Sequence, residues 1–316
     1  MNGRLRGGRR SAIGLAVAAM LLIGPATMAA PEAQFAPGKH IEIAPAPNKP
    51  AVSLYYEEQG SGPPLLLLHG LGESTFTWRD VLPALSARYR VIALDLKGFG
   101  KSDKPDDGGY GADDQAALVE RFIANLGLDK VSIVGHSFGG TVALRAALAE
   151  GTKAQKRIRR IVVISAPALP RATSRELDLI MKTPFVPDTV ALVVPTHAAA
   201  RFLLKEALNG REPSEGLVEG YAAPYQAPGA VHAFLATARS IVDERDTKAI
   251  TKRYRDIKLP VLAVWCRKDP IVPLRSGRRL VAALPRASLT VLDGCHHLPQ
   301  HERPKQLVQA IRKFLD

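Results

Sequence analysis

The chain has 316 residues, which is enough for one large α/β domain or two smaller domains. Hydrophobic residues make up 46% of it and charged residues 23%, which fits a globular core and excludes an intrinsically disordered chain. The formal net charge is +13, and two cysteines are too few for a disulfide-dense scaffold or a four-thiolate zinc site.

The first 29 residues have the order of a secretory signal peptide. Residues 1–10 contain four arginines and no acid, an apolar run follows as far as Ile23, and small residues come next. The apolar run is shorter than the roughly 20 residues needed to span a bilayer. We expect cleavage after Ala29, a linker over residues 30–50, and a periplasmic or secreted protein. An uncleaved N-terminal membrane anchor is the alternative.

Alternating strand and helix patterns begin near residue 50. Continuous apolar runs, typical of strands buried on both faces of a parallel sheet, predict strands at Val52 to Glu57, Leu65 to His69, Val91 to Asp95, Val131 to Val134, Ile161 to Ile164, Val261 to Trp265 and Leu289 to Leu292. Helical periodicity predicts helices at Trp78 to Arg88, Asp113 to Leu126, Phe138 to Glu150, Ser276 to Leu284 and Lys305 to Leu315. This alternation indicates a mostly parallel sheet covered by helices.

The regular alternation stops between residues 168 and 255. This stretch has helical segments, several prolines and no convincing strand. An insertion of this size between two strands is typical of a helical cap that sits on the sheet. We therefore divide the chain into a core of residues 51–167 and 256–316, with a cap at residues 168–255.

A serine motif lies between a predicted strand and a predicted helix. Residues 135–139 read Gly-His-Ser-Phe-Gly, a G-x-S-x-G pattern, and the strand ends at Val134. A serine on such a tight turn needs neighbours without side chains, and Gly135 and Gly139 meet that need. The turn places Ser137 at a helix N-terminus, where backbone N–H groups favour developing negative charge.

A serine hydroxyl becomes a strong nucleophile only when a base takes its proton. Asp269 follows the strand that ends at Trp265, and His296 and His297 follow the last strand. The chain order of serine, acid and histidine is the order expected for a strand–turn–helix serine nucleophile. We assign Asp269 as the orienting acid, while the residues alone leave His296 and His297 as alternative bases.

An oxyanion hole needs a second N–H group beside that of Phe138. The sequence His-Gly-Leu-Gly at residues 69–72 follows a predicted strand, so the backbone of Leu71 is the candidate for that group. Its glycines let the chain approach a substrate carbonyl closely.

Five motifs in one order resemble the α/β-hydrolase fold family, in its capped serine-hydrolase branch. They are His69 to Gly72, Asp95 to Ser102, the turn around Ser137, Trp265 to Pro270 and Gly294 to Pro299. The resemblance covers residues 50–316. It implies a mostly parallel central sheet flanked by helices, with a helical cap inserted after the sixth strand. It also implies that His297 is the base, because Gly294, Pro299, Glu302 and Pro304 match the family's terminal motif in register.

The nucleophile narrows the expected chemistry. The related haloalkane dehalogenases and epoxide hydrolases use an aspartate where this chain has Ser137, so those two activities are disfavoured. The prediction is a serine hydrolase that cleaves a carboxylic ester, lactone or thioester through an acyl-enzyme. A carbon–carbon bond hydrolase of a diketone-type substrate and a non-catalytic small-molecule binding protein are the alternatives. No metal or other cofactor is expected.

The substrate is expected to be small and to carry an apolar acyl group. Gly70 and Leu298 lie beside the reacting groups in the sequence, which makes them candidate binding residues. The aromatic residues Phe185, Phe202 and Tyr225 of the cap are candidates for the wall of an apolar pocket.

Cys266 and Cys295 each precede a residue of the predicted triad, by three and two positions. Both follow strands that should be neighbours, so a disulfide in an oxidising compartment is one hypothesis. Two buried free thiols are the interpretation that the sequence favours.

Two basic clusters precede neighbouring strands, at residues 153–160 and 252–258. They lack the aromatic interleaving or binding module expected of a nucleic-acid site, and a solvated surface is the simplest interpretation. Weak docking to anionic envelope surfaces is a further hypothesis. The oligomeric state is not predicted.

Overall fold

The computed structural model describes residues 37–45, 49–148, 157–170, 172, 196–242 and 249–316. The predicted signal peptide lies outside these residues, as does Phe185 of the predicted cap. Among the described residues, no helix is long and apolar enough to cross a membrane.

Eight strands form one mixed sheet in the order β1-β2-β4-β3-β5-β6-β7-β8. The strands are β1 (Lys39–Ile43), β2 (Val52–Gln59), β3 (Pro64–Leu68), β4 (Arg90–Leu94), β5 (Val131–His136), β6 (Ile158–Ile164), β7 (Val261–Cys266) and β8 (Ala287–Leu292). Strand β2 pairs antiparallel with both of its neighbours, β1 and β4, and the other pairings are parallel. The carboxyl ends of β3 and β5 to β8 therefore meet at one edge of the sheet.

Helices cover both faces of this sheet. They are α1 (Leu82–Ser86), α2 (Ala112–Asn125), α3 (Phe138–Leu148), α4 (Thr196–Ala207), α5 (Glu215–Ala222), α6 (Ala230–Val242), α7 (Leu274–Ala283), α8 (Pro299–Glu302) and α9 (Pro304–Leu315). Side chains of β3 alternate between the two faces, so Leu66 and Leu68 pack with α2 and α3, whereas Leu65 and Leu67 pack with α1 and α9. Each core is therefore assembled from every second residue of the buried strands.

The predicted strands and the helical insertion after β6 are confirmed, with differences of one to three residues at strand ends. The exception is β1, which lies within residues 30–50 and corrects their interpretation as a linker. This strand pairs on one side only, at the edge of the sheet, and only Ile43 is fully buried. Its sequence therefore carries no apolar run.

The cap contains α4, α5 and α6 and has a small apolar cluster of its own. That cluster joins Leu204 of α4 and Leu217 of α5 to Leu298 of the loop after β8. The two ends of the predicted cap belong to the main core instead, because the buried hydroxyl of Tyr254 donates to the carbonyl of Ala168 at 2.7 Å. The cap boundaries therefore lie inside residues 168–255.

Cys266 and Cys295 form a disulfide, which corrects the interpretation of two free thiols. Cys266 is the last residue of β7 and Cys295 lies in the loop after β8. Because these parallel strands are neighbours, their ends bring the two cysteines to a Cα–Cα distance of 5.4 Å. The bond ties together the two loops that carry Asp269 and His297.

Candidate active site

Ser137 lies on the sharp turn between β5 and α3, with a backbone φ of +47°. Its N–H donates to the carbonyl of Ile164 at 2.8 Å, which fixes the turn against β6. A side chain on Gly139 would lie 2.4 Å from the carbonyl oxygens of Leu68 and His69. The glycine is therefore required, because the helix begins in direct contact with the end of β3.

The structure brings Ser137, His297 and Asp269 together in hydrogen-bonding order. The Oγ of Ser137 lies 3.2 Å from Nε2 of His297. The other ring nitrogen of His297, Nδ1, lies 3.1 and 3.0 Å from the two carboxylate oxygens of Asp269. Since a carboxylate can only accept, Nδ1 carries the proton and Nε2 presents its lone pair to the serine.

Asp269 and His297 are both buried and fixed by backbone groups. Oδ1 of Asp269 accepts the N–H groups of Ile271 and Val272, each at 2.9 Å. The N–H of His297 donates to the carbonyl of Ala207, the last residue of cap helix α4, at 3.1 Å. The cap therefore contacts the loop that carries the histidine.

His296, the alternative base, has other partners. Its Nδ1 lies 2.8 Å from Oε1 of Glu302, which also pairs with Arg211 of the cap. The backbone N–H of His296 donates to the same carboxylate at 2.6 Å. His296 therefore joins the cap to α8, while His297 alone of the two faces the serine.

The predicted oxyanion loop lies beside the serine turn. Phe138 is the first residue of α3, and Leu71 follows the end of β3 that Gly139 contacts. Within the described part of the chain, neither backbone N–H has an acceptor. Both groups are therefore free to donate to a substrate oxygen.

The predicted binding residues occupy three different environments. Gly70 is buried, and its N–H already donates to Oε2 of Glu73 at 2.9 Å. Leu298 is buried in the cluster between the cap and the histidine loop. Phe202 is 57% exposed, so the structure does not place it in an enclosed pocket.

Tyr225 extends from the cap toward the oxyanion loop. A side chain on Gly72 would lie 2.7 Å from its hydroxyl, and Phe234 packs against its ring. The hydroxyl is buried and has no hydrogen-bond partner among the described residues. Burial raises the pKa of this phenol well above its ordinary range, so the group is an O–H donor.

Two further residues of the site, Glu73 and His136, were not identified from the sequence as functional residues. Oε1 of Glu73 lies 2.9 Å from Nδ1 of His136, directly under the serine turn. His136 lies inside the serine motif and Glu73 directly follows the motif of residues 69–72, but their pairing depends on the contact between β3 and β5. No spacing along the chain reveals that contact.

Among the described residues, no group of three or more His, Cys, Asp or Glu side chains is arranged to hold a metal ion. The site offers a nucleophilic hydroxyl, a base oriented by a carboxylate, and two backbone N–H donors.

The fold and this arrangement define an α/β hydrolase. The sequence model of the alpha/beta hydrolase fold matches residues 63–304, and the chain belongs to that family. An uncharacterized protein of Mycobacterium tuberculosis is 29% identical over 269 residues, which cover 81% of this chain and 76% of the relative.

Two further similar proteins have names that state an activity. The 2-hydroxy-6-oxo-2,4-heptadienoate hydrolase of Pseudomonas putida is 29% identical over 266 residues, covering 81% of this chain and 90% of the relative. The crystal structure of a bacterial membrane phospholipase A is 25% identical, with a TM-score of 0.68, covering 88% of this chain and 86% of that one. Because these names differ in substrate, the similarity establishes a hydrolase of this fold and leaves the substrate undetermined.

Proposed function

We propose that the protein is a serine hydrolase that cleaves a carboxylic ester, lactone or thioester with a small apolar acyl group. The observation that carries the proposal is the hydrogen-bonded order of Ser137, His297 and Asp269, with 3.2 Å between Oγ and Nε2. This arrangement is the one that activates a serine for attack on an acyl carbon.

In the first half of the proposed reaction, Nε2 of His297 takes the proton of Ser137 while Oγ bonds to the acyl carbon. The carbonyl oxygen becomes an oxyanion, which the N–H groups of Leu71 and Phe138 stabilise. His297 then gives its proton to the leaving group, at the oxygen of a departing alcohol or at the sulfur of a departing thiol. The carbon–leaving-group bond breaks, and the acyl group remains on Ser137.

In the second half, His297 takes a proton from water, and the resulting hydroxide oxygen bonds to the acyl carbon. The same N–H groups stabilise the second oxyanion. Collapse of this intermediate breaks the bond to Ser137, whose Oγ receives the proton back from His297. Asp269 stays ionised throughout and stabilises the imidazolium that forms in both halves.

A carbon–carbon bond hydrolase of a diketone-type substrate is the second candidate. It is favoured by the similarity to the Pseudomonas putida hydrolase, whose name describes a substrate of that kind. The same serine, histidine and N–H donors serve both reactions, so the two candidates differ in the substrate that the cap admits.

The first test is labelling with a fluorophosphonate probe, comparing the wild-type protein with Ser137→Ala. We expect labelling that maps to Ser137 and disappears in the variant. A well-folded wild-type protein that is not labelled would favour a non-catalytic binding protein. Single-turnover assays with a short-chain aryl ester and with a ring-cleavage diketone then separate the two enzyme candidates.

We also propose that the protein acts in the periplasm or after secretion. The order of charged, apolar and small residues in the first 29 positions supports export. The disulfide between Cys266 and Cys295 supports it independently, because such bonds persist in oxidising compartments. N-terminal sequencing of the protein recovered from a cell-envelope fraction tests both the export of the chain and the removal of its first 29 residues. An intact Met1 there would favour the anchored alternative.

A further inference from the structure

A second carboxylate–imidazole pair lies beneath the proposed catalytic residues. Glu73 and His136 are both buried, and Oε1 of Glu73 lies 2.9 Å from Nδ1 of His136. Neither side chain has a role in the acyl-transfer steps described above. Two groups that can each carry a charge are costly to bury, so their presence together at this place requires an explanation.

The nearest polar atom to each ring nitrogen of His136 is an acceptor, and the amide nitrogen of Gln300 lies farther away, at 3.5 Å from Nδ1. Nδ1 faces the carboxylate of Glu73, and Nε2 lies 2.8 Å from the carbonyl oxygen of His297. A neutral imidazole has only one N–H, so satisfying both contacts requires the doubly protonated ring. The geometry therefore defines an imidazolium paired with a carboxylate.

The electrostatics of the surroundings agree with this charge state. Burial alone lowers the pKa of His136, but the Glu73 carboxylate outweighs it and raises that pKa above its ordinary value. Burial likewise acts to raise the pKa of Glu73, but His136 and the Gly70 N–H lower it to about 2. The other titratable groups nearby are His69, which burial keeps neutral with a pKa of about 4, and the Asp269–His297 pair.

The Glu73–His136 pair contacts each of the three loops that carry the proposed chemistry. Oε2 of Glu73 accepts the N–H of Gly70, the residue before the proposed oxyanion donor Leu71. His136 is joined to Ser137 by a peptide bond, and its Nε2 donates to the backbone of His297. One buried ion pair thus links the oxyanion loop, the serine turn and the histidine loop.

We propose that Glu73 and His136 are positioning residues that hold the oxyanion donor, the nucleophile and the base in register. This inference rests on the proposed function. The pair touches no substrate; it acts through the backbone of the loops that do. A displacement of about 1 Å between reacting groups lowers a rate by about 100-fold, so a brace at this point affects turnover strongly.

The test compares Glu73→Gln with a matched control, Asp80→Asn. Asp80 is the carboxylate partner of another buried histidine, His301, at 2.6 Å. In the described part of the chain, that second pair has no hydrogen bond to Ser137, His297 or Asp269. Both substitutions remove the charge of a histidine's partner with little change of shape.

For a soluble ester, we expect Glu73→Gln to lower kcat about 10- to 100-fold with KM changed less than about twofold. Fluorophosphonate labelling should slow by a similar factor, while Asp80→Asn keeps both rates. His136→Gln, whose amide can still donate to the His297 carbonyl, should retain more kcat than His136→Ala. A merely structural role would instead lower thermal stability in Glu73→Gln and Asp80→Asn without this difference in kcat.

The charge state is tested on the wild-type protein, so it does not depend on a variant that folds. With ¹⁵N-labelled histidine, both ring nitrogens of His136 should show imidazolium chemical shifts at pH 7.5, and a neutral ring would overturn the inference. Labelling of Glu73→Gln at the wild-type rate would overturn it while leaving the proposed function intact. Absence of labelling in the folded wild-type protein would overturn both.

Discussion

The carboxyl edge of the sheet and the helical cap are built on different principles. At the sheet edge, each proposed catalytic side chain follows a strand end and is fixed by backbone hydrogen bonds, as the N–H groups of Ile271 and Val272 fix Asp269. In the cap, α4 and α5 share a small apolar cluster and leave Phe202 and Leu203 largely exposed. We propose that the sheet edge carries the chemistry and that the cap selects the substrate. Changes at the edge should therefore alter kcat, and changes in the cap should alter KM.

The largest effect should come from Asp269→Asn. The oxygen of the introduced amide would keep accepting the two backbone N–H groups, so its NH₂ group would turn toward Nδ1 of His297. The ring must then accept at Nδ1 and carry its proton on Nε2, which removes the lone pair that faces Ser137. We expect kcat for an ester to fall about 10⁴-fold with the fold intact.

Circular dichroism tests whether the fold is intact, and steady-state kinetics measure kcat. The control is Asp293→Asn, an exposed carboxylate that follows β8 and pairs with Arg267. The control should retain wild-type kcat. If kcat of Asp269→Asn fell by less than about 100-fold, the assignment of Asp269 as the orienting acid would be contradicted.

The disulfide should contribute to the stability of the edge more than to its chemistry. It closes a loop between residues separated by 29 positions, for which the chain-entropy model gives about 3 to 4 kcal/mol of unfolding free energy. Replacing both cysteines by alanine avoids burying new hydroxyl groups. We expect the urea midpoint to fall while kcat at 25 °C stays within about threefold, because Asp269 keeps its backbone partners.

Wild-type protein under reducing conditions provides the matched comparison for the double alanine variant. Both samples should unfold at the same urea concentration. An unchanged midpoint in the alanine variant would show that the crosslink does not stabilise the native state. A large loss of kcat would instead mean that the edge depends on the crosslink for its geometry.

The sequence predicts the sheet edge, with its strands and serine turn, better than it predicts the contacts of the cap. The strands, the serine turn and its chain order were visible because glycine and apolar patterns are local. The strand β1 was missed because a singly paired edge strand buries almost nothing. The Glu73–His136 pair was missed because it forms only where β3 and β5 lie side by side. The exposure of Phe202 in the cap could not be predicted, because an aromatic residue in a helix has the same pattern whether it packs inward or outward.

A smaller effect is expected for Tyr225→Phe, which tests whether the cap contributes a polar contact. The buried hydroxyl has no partner among the described residues and lies beside Gly72, so a substrate oxygen would satisfy it. Loss of one such hydrogen bond should raise KM about three- to tenfold without changing kcat. Stability should stay constant or rise, because an unpaired buried hydroxyl is removed.

Kinetics with a series of esters that vary on the alcohol side and the acyl side measure this effect and locate the contact. Phe202→Ala is the control. Because its ring is exposed, its loss should change neither the binding free energy reflected in KM nor the free energy of unfolding by more than about 0.5 kcal/mol. A fall in kcat without a rise in KM would mean that Tyr225 of the cap acts in the chemistry rather than in substrate selection. It would contradict the division of roles between the cap and the sheet edge.

The weakest expected effect concerns the opposite edge of the sheet, where β6 and β7 begin and where the described residues of the two basic clusters lie. These strands are parallel neighbours, so Arg159, the exposed second residue of β6, and the exposed Arg255, which precedes β7, lie at the same edge, away from Ser137. We propose that this edge binds anionic lipid surfaces weakly, with about 1 kcal/mol per basic residue. Vesicles of phosphatidylglycerol and phosphatidylcholine should bind the protein at about 10 mM salt and release it at about 150 mM.

Pure phosphatidylcholine vesicles should not bind, and Arg159→Ala/Arg255→Ala should weaken binding to the anionic ones while kcat for a soluble ester stays constant. The effect is small because several cations of the clusters are already engaged; Arg157, for example, pairs with Asp129 at 2.9 Å. Binding that persists at high salt would be apolar in origin, and it would point to Phe202 and Leu203 of the cap rather than to this edge.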